Sequence, residues 1–237
     1  MIPDLSAPGV DTYSPITSPS FSPDEPRRVN YNIQYGTSTA CPHVSGAAAY
    51  VQRFHPDWSP SAIKSALMAT TLPMSDTKSL GGEFAYGSGH VNPVAAVRPG
   101  VVYEALKEDY IIMFVTLAIM QRNFQVLSGD NNTTTCPKLP VSASPKDLNY
   151  PSMAAEVSPK SLSIYKAKIV TNSKVDIKVE PVVLTFKSLN EKISFVVSVS
   201  GSGLPAMSRL SASLVWSDVT YSVRSPIIVH NQRLRTA

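Results

Sequence analysis

The 237-residue sequence has two cysteines, Cys41 and Cys136, and four histidines. Two cysteines cannot build a disulfide framework, and their spacing does not establish a bridge between them, so the redox compartment stays open. The histidines are scattered, with no cysteine or second histidine at metal-ligand spacing, so no metal or other cofactor is expected. Dominance of one charge is also missing: 21 Lys and Arg against 17 Asp and Glu leave +4, dispersed along the chain. Without a basic stretch interleaved with aromatics, no nucleic-acid partner is expected. The longest apolar run, residues 111–120, is broken by Thr116 and reaches about half of the ~20 residues of a membrane span, so no membrane partner is expected. Residues 1–6 show neither a charged n-region nor an apolar h-region, so no signal peptide is expected in this stretch. What remains is a 43% hydrophobic chain that can bury a core as one or two globular domains.

The densest chemistry lies in Gly36-Thr37-Ser38-Thr39-Ala40-Cys41-Pro42-His43-Val44-Ser45-Gly46. Val44, Ala47, Ala48 and Val51 recur at i, i+3, i+4, i+7, the spacing of a buried helix face, which puts Ser38 at a helix N-terminus. There, unpaired N–H groups and the positive end of the helix dipole favour negative charge, as an acyl-transfer nucleophile and its oxyanion require. Pro42 is expected in the first turn, where a missing N–H costs little. The ordinary alternative is a helix cap, since Gly-Thr-Ser before a helix is common. Position alone does not separate the two.

Residues 36–46 resemble the serine motif of the subtilisin family, G-T-S-x-A-x-P-H-V-x-G, at every fixed position. The resemblance makes Ser38 the nucleophile of a serine endopeptidase acting on polypeptides. It makes His43 structural. Pro3-Asp4-Leu5-Ser6-Ala7-Pro8-Gly9-Val10 resembles the family's P-D-[IL]-x-A-P-G-V segment and reads as strand and turn. Residues 12–28, rich in Ser-Pro, read as a surface loop. Ser59 as N-cap, Pro60 at the first helical position, and Ile63, Ala66, Leu67 and Thr70 on one face predict a second helix, packed on the first. Residues 54–68 resemble the plant branch of the family, as do residues 84–103, where a Gly-rich connector and short helix are expected. His55 is expected in a loop or cap. His90 is not expected to be the base, because the family's catalytic histidine precedes the serine.

A helix-like run over 104–130 ends in a polar loop in which Asn131 and Asn132 head N-x-[ST] sequons. Beyond Tyr150-Pro151-Ser152 the period becomes two: Ile193, Phe195, Val197 and Val199 against Ser194 and Ser198, then Leu210, Ala212, Leu214 and Trp216 against Ser211 and Ser213. With 165–170, 177–179, 182–186 and 227–229 these make six strands with one buried face, a small β-sandwich. It resembles the fibronectin type III-like domain of plant subtilases. The family's R-T-V-T-N-V-G strand segment is missing between Ser152 and Tyr165, and valine at 219 replaces the glycine common in that hairpin turn. An open sheet edge and self-association through the incomplete sandwich are therefore expected.

The expected fold class is α/β, the C-terminal part of a subtilisin-like parallel-sheet catalytic domain over 1–104. A helical connector and polar loop over 105–146 follow, then an all-β fibronectin type III-like sandwich over 147–237. A serine hydroxyl needs an imidazole to take its proton and a carboxylate to orient that imidazole. The resemblance orders these Asp, His, Ser. No histidine precedes Ser38, Asp4 and Asp11 do not match the aspartate motif, and Asn30 and Asn32 do not match the oxyanion asparagine. Two readings result: a subtilisin-type endopeptidase present without its Asp and His, or an inactive fragment acting at most as a protein-binding module. An α/β-hydrolase is excluded because Ala40 stands where G-x-S-x-G needs glycine. By resemblance the location is extracellular, in the apoplast. The resemblance also implies that Cys136 lacks its usual mate in the preceding helix region. Thiol titration of native and denatured protein is expected to find Cys136 free; both cysteines oxidised in one intramolecular bridge would contradict it.

Overall fold

The computed structural model describes residues 3–15, 30–75, 81–105, 107, 109–110, 153–155, 163–171, 175–189, 191–201 and 209–230. The connector around 111–152, with Cys136 and both sequons, lies outside the described residues.

Helix α1 (Thr37–Phe54) starts behind Gly36, whose φ of 134° admits glycine far more readily than any L side chain. Because the helix begins at Thr37, Pro42 stands in its second turn, inside the helix and not in the first turn as expected. Its missing N–H removes the bond that the Ser38 carbonyl would otherwise accept from position 42. Ala47 and Val51 are buried and Val44 and Ala48 half-buried, as the periodicity predicts. Helix α2 (Pro60–Ala69) is capped by Ser59, whose Oγ accepts the Ala62 N–H at 3.1 Å. It meets α1 through Ile63 and Leu67 against Ala47 and Val51.

Two one-turn helices follow, α3 (Glu83–Tyr86) and α4 (Pro93–Ala96), the second capped by Asn92. Strands β1 (Thr12–Pro15) and β2 (Tyr31–Gln34) form an antiparallel hairpin in which the rings of Tyr13 and Tyr31 stack 5.0 Å apart. So the front of the expected Ser-Pro loop is a strand: cross-strand pairing of Thr12 and Tyr13 overrides the turn signal of the serines and prolines behind them. Between the helices runs a narrow three-segment ladder. Ser6 bridges His90 in parallel, the one parallel pairing among the described residues, and Leu72 bridges His90 antiparallel.

The sandwich half comprises β5 (Ser163–Thr171), β6 (Asp176–Glu180), β7 (Val183–Phe186), β8 (Lys192–Ile193), β9 (Val196–Ser200), β10 (Arg209–Ser217) and β11 (Ser222–His230). One sheet runs β11-β10-β5-β7, and β6 pairs β9. A third joins the halves: β3 (Val101–Tyr103) pairs β4 (Met153–Ala155), which pairs β8. The core is shared in the same way, since Trp216, Tyr165, Phe186, Leu184 and Leu214 pack with Val101 and Tyr103 and with Ala69 of α2. Each large side chain so buried contributes about 1.5–3 kcal/mol.

Three details correct the expected strands. The run 193–199 is broken into β8 and β9, and Val197 and Val199 are 36% and 44% exposed although they share the face of buried Val179 on β6. The apolar cover ends at β6. Strand β10 is covered on both faces, because Ser213 is buried and the Ser211 hydroxyl meets Glu83 of α3. Val219 does not oppose the hairpin: φ is not positive there, and Asp218 closes the loop by accepting the N–H groups of Thr220 and Tyr221, leaving the valine side chain in solvent.

The same Asp218 accepts the hydroxyl of buried Tyr165. Burial first, and then the Asp218 carboxylate, push the Tyr165 pKa above its ordinary value. A raised folded pKa makes the stabilisation complete below the unfolded value, about 10, and lost as pH rises beyond it. Urea midpoints are expected to fall between about pH 10 and 12 more steeply in the native protein than in Tyr165→Phe. Equal slopes would refute the coupling.

Candidate functional site

Ser38 occupies the second helical position of α1, exposed to solvent. The N–H groups of Thr39 and Ala40 turn back to the Gly36 carbonyl at 3.0 and 3.2 Å, so those of Thr37 and Ser38 stand ahead of the helical ladder. That end of the helix carries the positive pole of its dipole, and no acidic residue occupies its first turn. An anion forming at Ser38 Oγ, or on a carbonyl carbon it attacks, is favoured there. Among the described residues the Ser38 hydroxyl makes no hydrogen bond, so it is not the cap of this helix. The cap position is Gly36, without a side-chain bond.

Gly9 holds this turn in place. The Gly36 N–H donates to the Gly9 carbonyl at 2.7 Å, and a Cβ on Gly9 would sit 2.8 Å from the Gly36 oxygen and 3.0 Å from the Ala40 Cβ. The P-D-[IL]-x-A-P-G-V resemblance marked the segment, but only the folded backbone reveals the close approach that requires glycine.

The rings of His43, His55 and His90 face backbone carbonyls. His43 Nδ1 faces the Thr39 carbonyl one turn back at 3.0 Å, His55 Nε2 faces the Val97 carbonyl at 2.7 Å, and His90 Nδ1 faces the Val91 carbonyl at 3.2 Å. A ring nitrogen beside a carbonyl is the N–H donor, so each tautomer is set by a backbone oxygen and none of these rings bonds Ser38. His55 caps α1 and stacks on Trp58 at 3.8 Å and 11°, the capping role expected of it. Asp4, one of the acidic residues preceding Ser38, pairs with Lys64 at 2.9 Å on the rim of a groove of about 350 Å³. The groove is floored by Val44, Ala48, Ile63 and Leu67; Ser38 does not line it. Cys41, one turn beyond Ser38, is a free, exposed thiol. No group of three or more metal-ligating side chains is present among the described residues, and no helix among them is long and apolar enough to cross a membrane.

The architecture is thus an α/β layer presenting a serine at an open helix N-terminus, followed by a fibronectin type III-like sandwich. The model of the subtilase family matches residues 1–89, and that of a fibronectin type-III domain matches residues 156–229. Subtilisin-like protease SBT4.10 of Arabidopsis thaliana is 47% identical, with 96% of this chain and 36% of the relative covered. Subtilisin-like protease SBT4.4 of the same plant is also 47% identical, with 96% of this chain and 34% of the relative covered. For SBT4.3 the identity is 45%, over 97% of this chain and 34% of the relative. The chain belongs to the subtilase family, and it spans about a third of the length of the curated relatives it matches. The alignment to SBT4.10 runs over 252 positions, more than the 237 residues of this chain, so that relative carries residues that the chain skips.

Gly9→Ala is expected to lower stability by about 1–3 kcal/mol, because its methyl group drives against backbone at the start of α1. Gly46→Ala, with no atom within 4 Å of the new carbon, is expected to raise stability by about 0.5–1 kcal/mol. Paired urea melts decide this; a neutral Gly9→Ala would show that the serine turn is not held by that contact.

Proposed function

We propose that this chain carries the nucleophile of a subtilisin-type serine endopeptidase, with Ser38 forming the acyl-enzyme on polypeptide substrates. The observation that carries the reading is the exposed Ser38 hydroxyl beside the leading N–H groups of α1, within a motif that matches the family at each fixed position. In the step it serves, Ser38 Oγ bonds to the scissile carbonyl carbon, its proton passes to an imidazole, and negative charge collects on the carbonyl oxygen near the helix N-terminus. The amine then leaves with that proton, and water hydrolyses the ester.

The imidazole is the group that the described side chains do not supply to Ser38. The second reading, for the chain by itself, is an inactive subtilase fragment acting at most as a protein-binding module. The working division is a catalytic-domain part over 1–104, a connector over 105–146 and a sandwich over 147–237, the last self-associating through its incomplete sheet. An extracellular location rests on the family relationship.

Labelling by a fluorophosphonate probe tests both readings. The chain alone is expected to label slower by several orders of magnitude than an intact subtilase, as loss of a triad dictates. Co-expressed with a segment bearing the family's aspartate and histidine motifs, it is expected to become modified at Ser38 and not in Ser38→Ala. Stoichiometric labelling of the chain alone, lost in Ser38→Ala, would overturn the expected inactivity. Modification at another serine in the co-expressed pair would sink the assignment of Ser38.

A further inference from the structure

The sandwich touches the serine-bearing half through specific side chains, and one of them leads back to Ser38. Arg224 projects from β11, where its backbone pairs with Val215, and its guanidinium donates to the carbonyl of Ser88 at 3.1 Å. Ser88 is 2% exposed, and its own N–H and hydroxyl both reach the Asp4 carbonyl at 3.0 Å. One residue further, the Gly89 carbonyl accepts the Ser6 N–H at 2.8 Å, and the Ser6 carbonyl accepts the Val91 N–H at 2.8 Å. From Ser6, Ala7 and Pro8 lead to Gly9, whose carbonyl holds Gly36 at 2.7 Å, two residues before Ser38.

We propose that Arg224 is a positioning residue for Ser38. The inference rests on the reading of Ser38 as nucleophile, and it assigns to the sandwich the task of fixing where the segment over 4–9 places the serine turn. The charge-assisted bond from Arg224 is the polar tie from β11 to the central segment of the ladder, and it ends on a buried carbonyl where a lost partner is felt most. A second tie, Ser211 to the buried Glu83 carboxylate at 2.6 Å, anchors the same loop from β10. Removing Arg224 does not orphan the Ser88 carbonyl, because the Thr71 hydroxyl lies 2.8 Å from it. The ladder therefore persists in a looser form, and the variant folds.

Amide exchange of the full chain, followed by NMR, tests the coupling. In Arg224→Ala, the amides of Ser88, Ser6 and Gly36 are expected to exchange about tenfold faster, while that of Ile63 in α2 is unchanged. Arg224→Lys, which retains one charged donor, is expected to restore most of the protection. Ser222→Ala, on the exposed end of β11, is expected to alter none of these amides. Faster exchange at Ser88 with Gly36 unchanged would overturn the proposal, because the contact would then be local. A lysine variant as unprotected as the alanine one would also overturn it, assigning the effect to packing of the arginine stem. In the co-expressed pair, Arg224→Ala is expected to lower kcat for peptide hydrolysis about tenfold with KM unchanged, and a changed KM with constant kcat would refute a positioning role. If the native pair never labels at Ser38, the peptidase reading fails, while the exchange experiment still decides the coupling.

Discussion

The hydrogen bond from the Gly36 N–H to the Gly9 carbonyl is the contact on which the serine site depends. At 2.7 Å it draws two backbones so close that neither residue can carry a side chain without strain: Gly9 lacks room and Gly36 has φ of 134°. The consequence is that α1 starts at Thr37 with its first amides uncovered and Ser38 in solvent. A helix entered one residue earlier or later would turn the serine by about 100°. The chemistry attributed to Ser38 therefore begins as a constraint between two glycines 27 positions apart in the chain.

That constraint is supported from below by the ladder over 4–6, 72 and 88–91, and from beyond by the sandwich. The halves are not joined like beads. Ala69, Val101 and Tyr103 lie in the same buried cluster as Trp216 and Leu214, and the Tyr103 hydroxyl meets Ser225 Oγ at 2.8 Å in the interior. Displacing one half would expose apolar surface of both, at about 25 cal/mol for each Å². The fibronectin type III-like unit and the α/β layer therefore share one core. The weak place of the fibronectin type III-like unit is at β9, where the valines leave the cover of the core.

How legible each element was depends on the range of the interactions that shape it. The second helix was read almost to the residue, because Ser59, Pro60 and the Ile63, Ala66, Leu67 stripe act within a few positions of one another. Strand β10 was read as half-buried from Leu210, Ala212, Leu214 and Trp216, yet its serine face also packs, since α3 lies against it. The hairpin turn at Val219 was misjudged because Asp218, not a glycine, closes it through its side chain. The early strand at Thr12 was hidden by the Ser-Pro text that follows, and only its pairing with β2 reveals it.

By itself the sequence determined what chemistry is at hand: one serine in a motif at a helix start, no histidine before it, and a period-two half able to form a sandwich. These are legible because a motif, a cap and a periodicity are encoded by neighbours in the chain. The tertiary structure alone decided that the ring of His55 donates to the Val97 carbonyl, that Gly9 grips Gly36, and that Arg224 reaches Ser88. Those three contacts join segments 42, 27 and 136 residues apart, whose meeting is set by the burial of a common core and leaves no local mark in the chain.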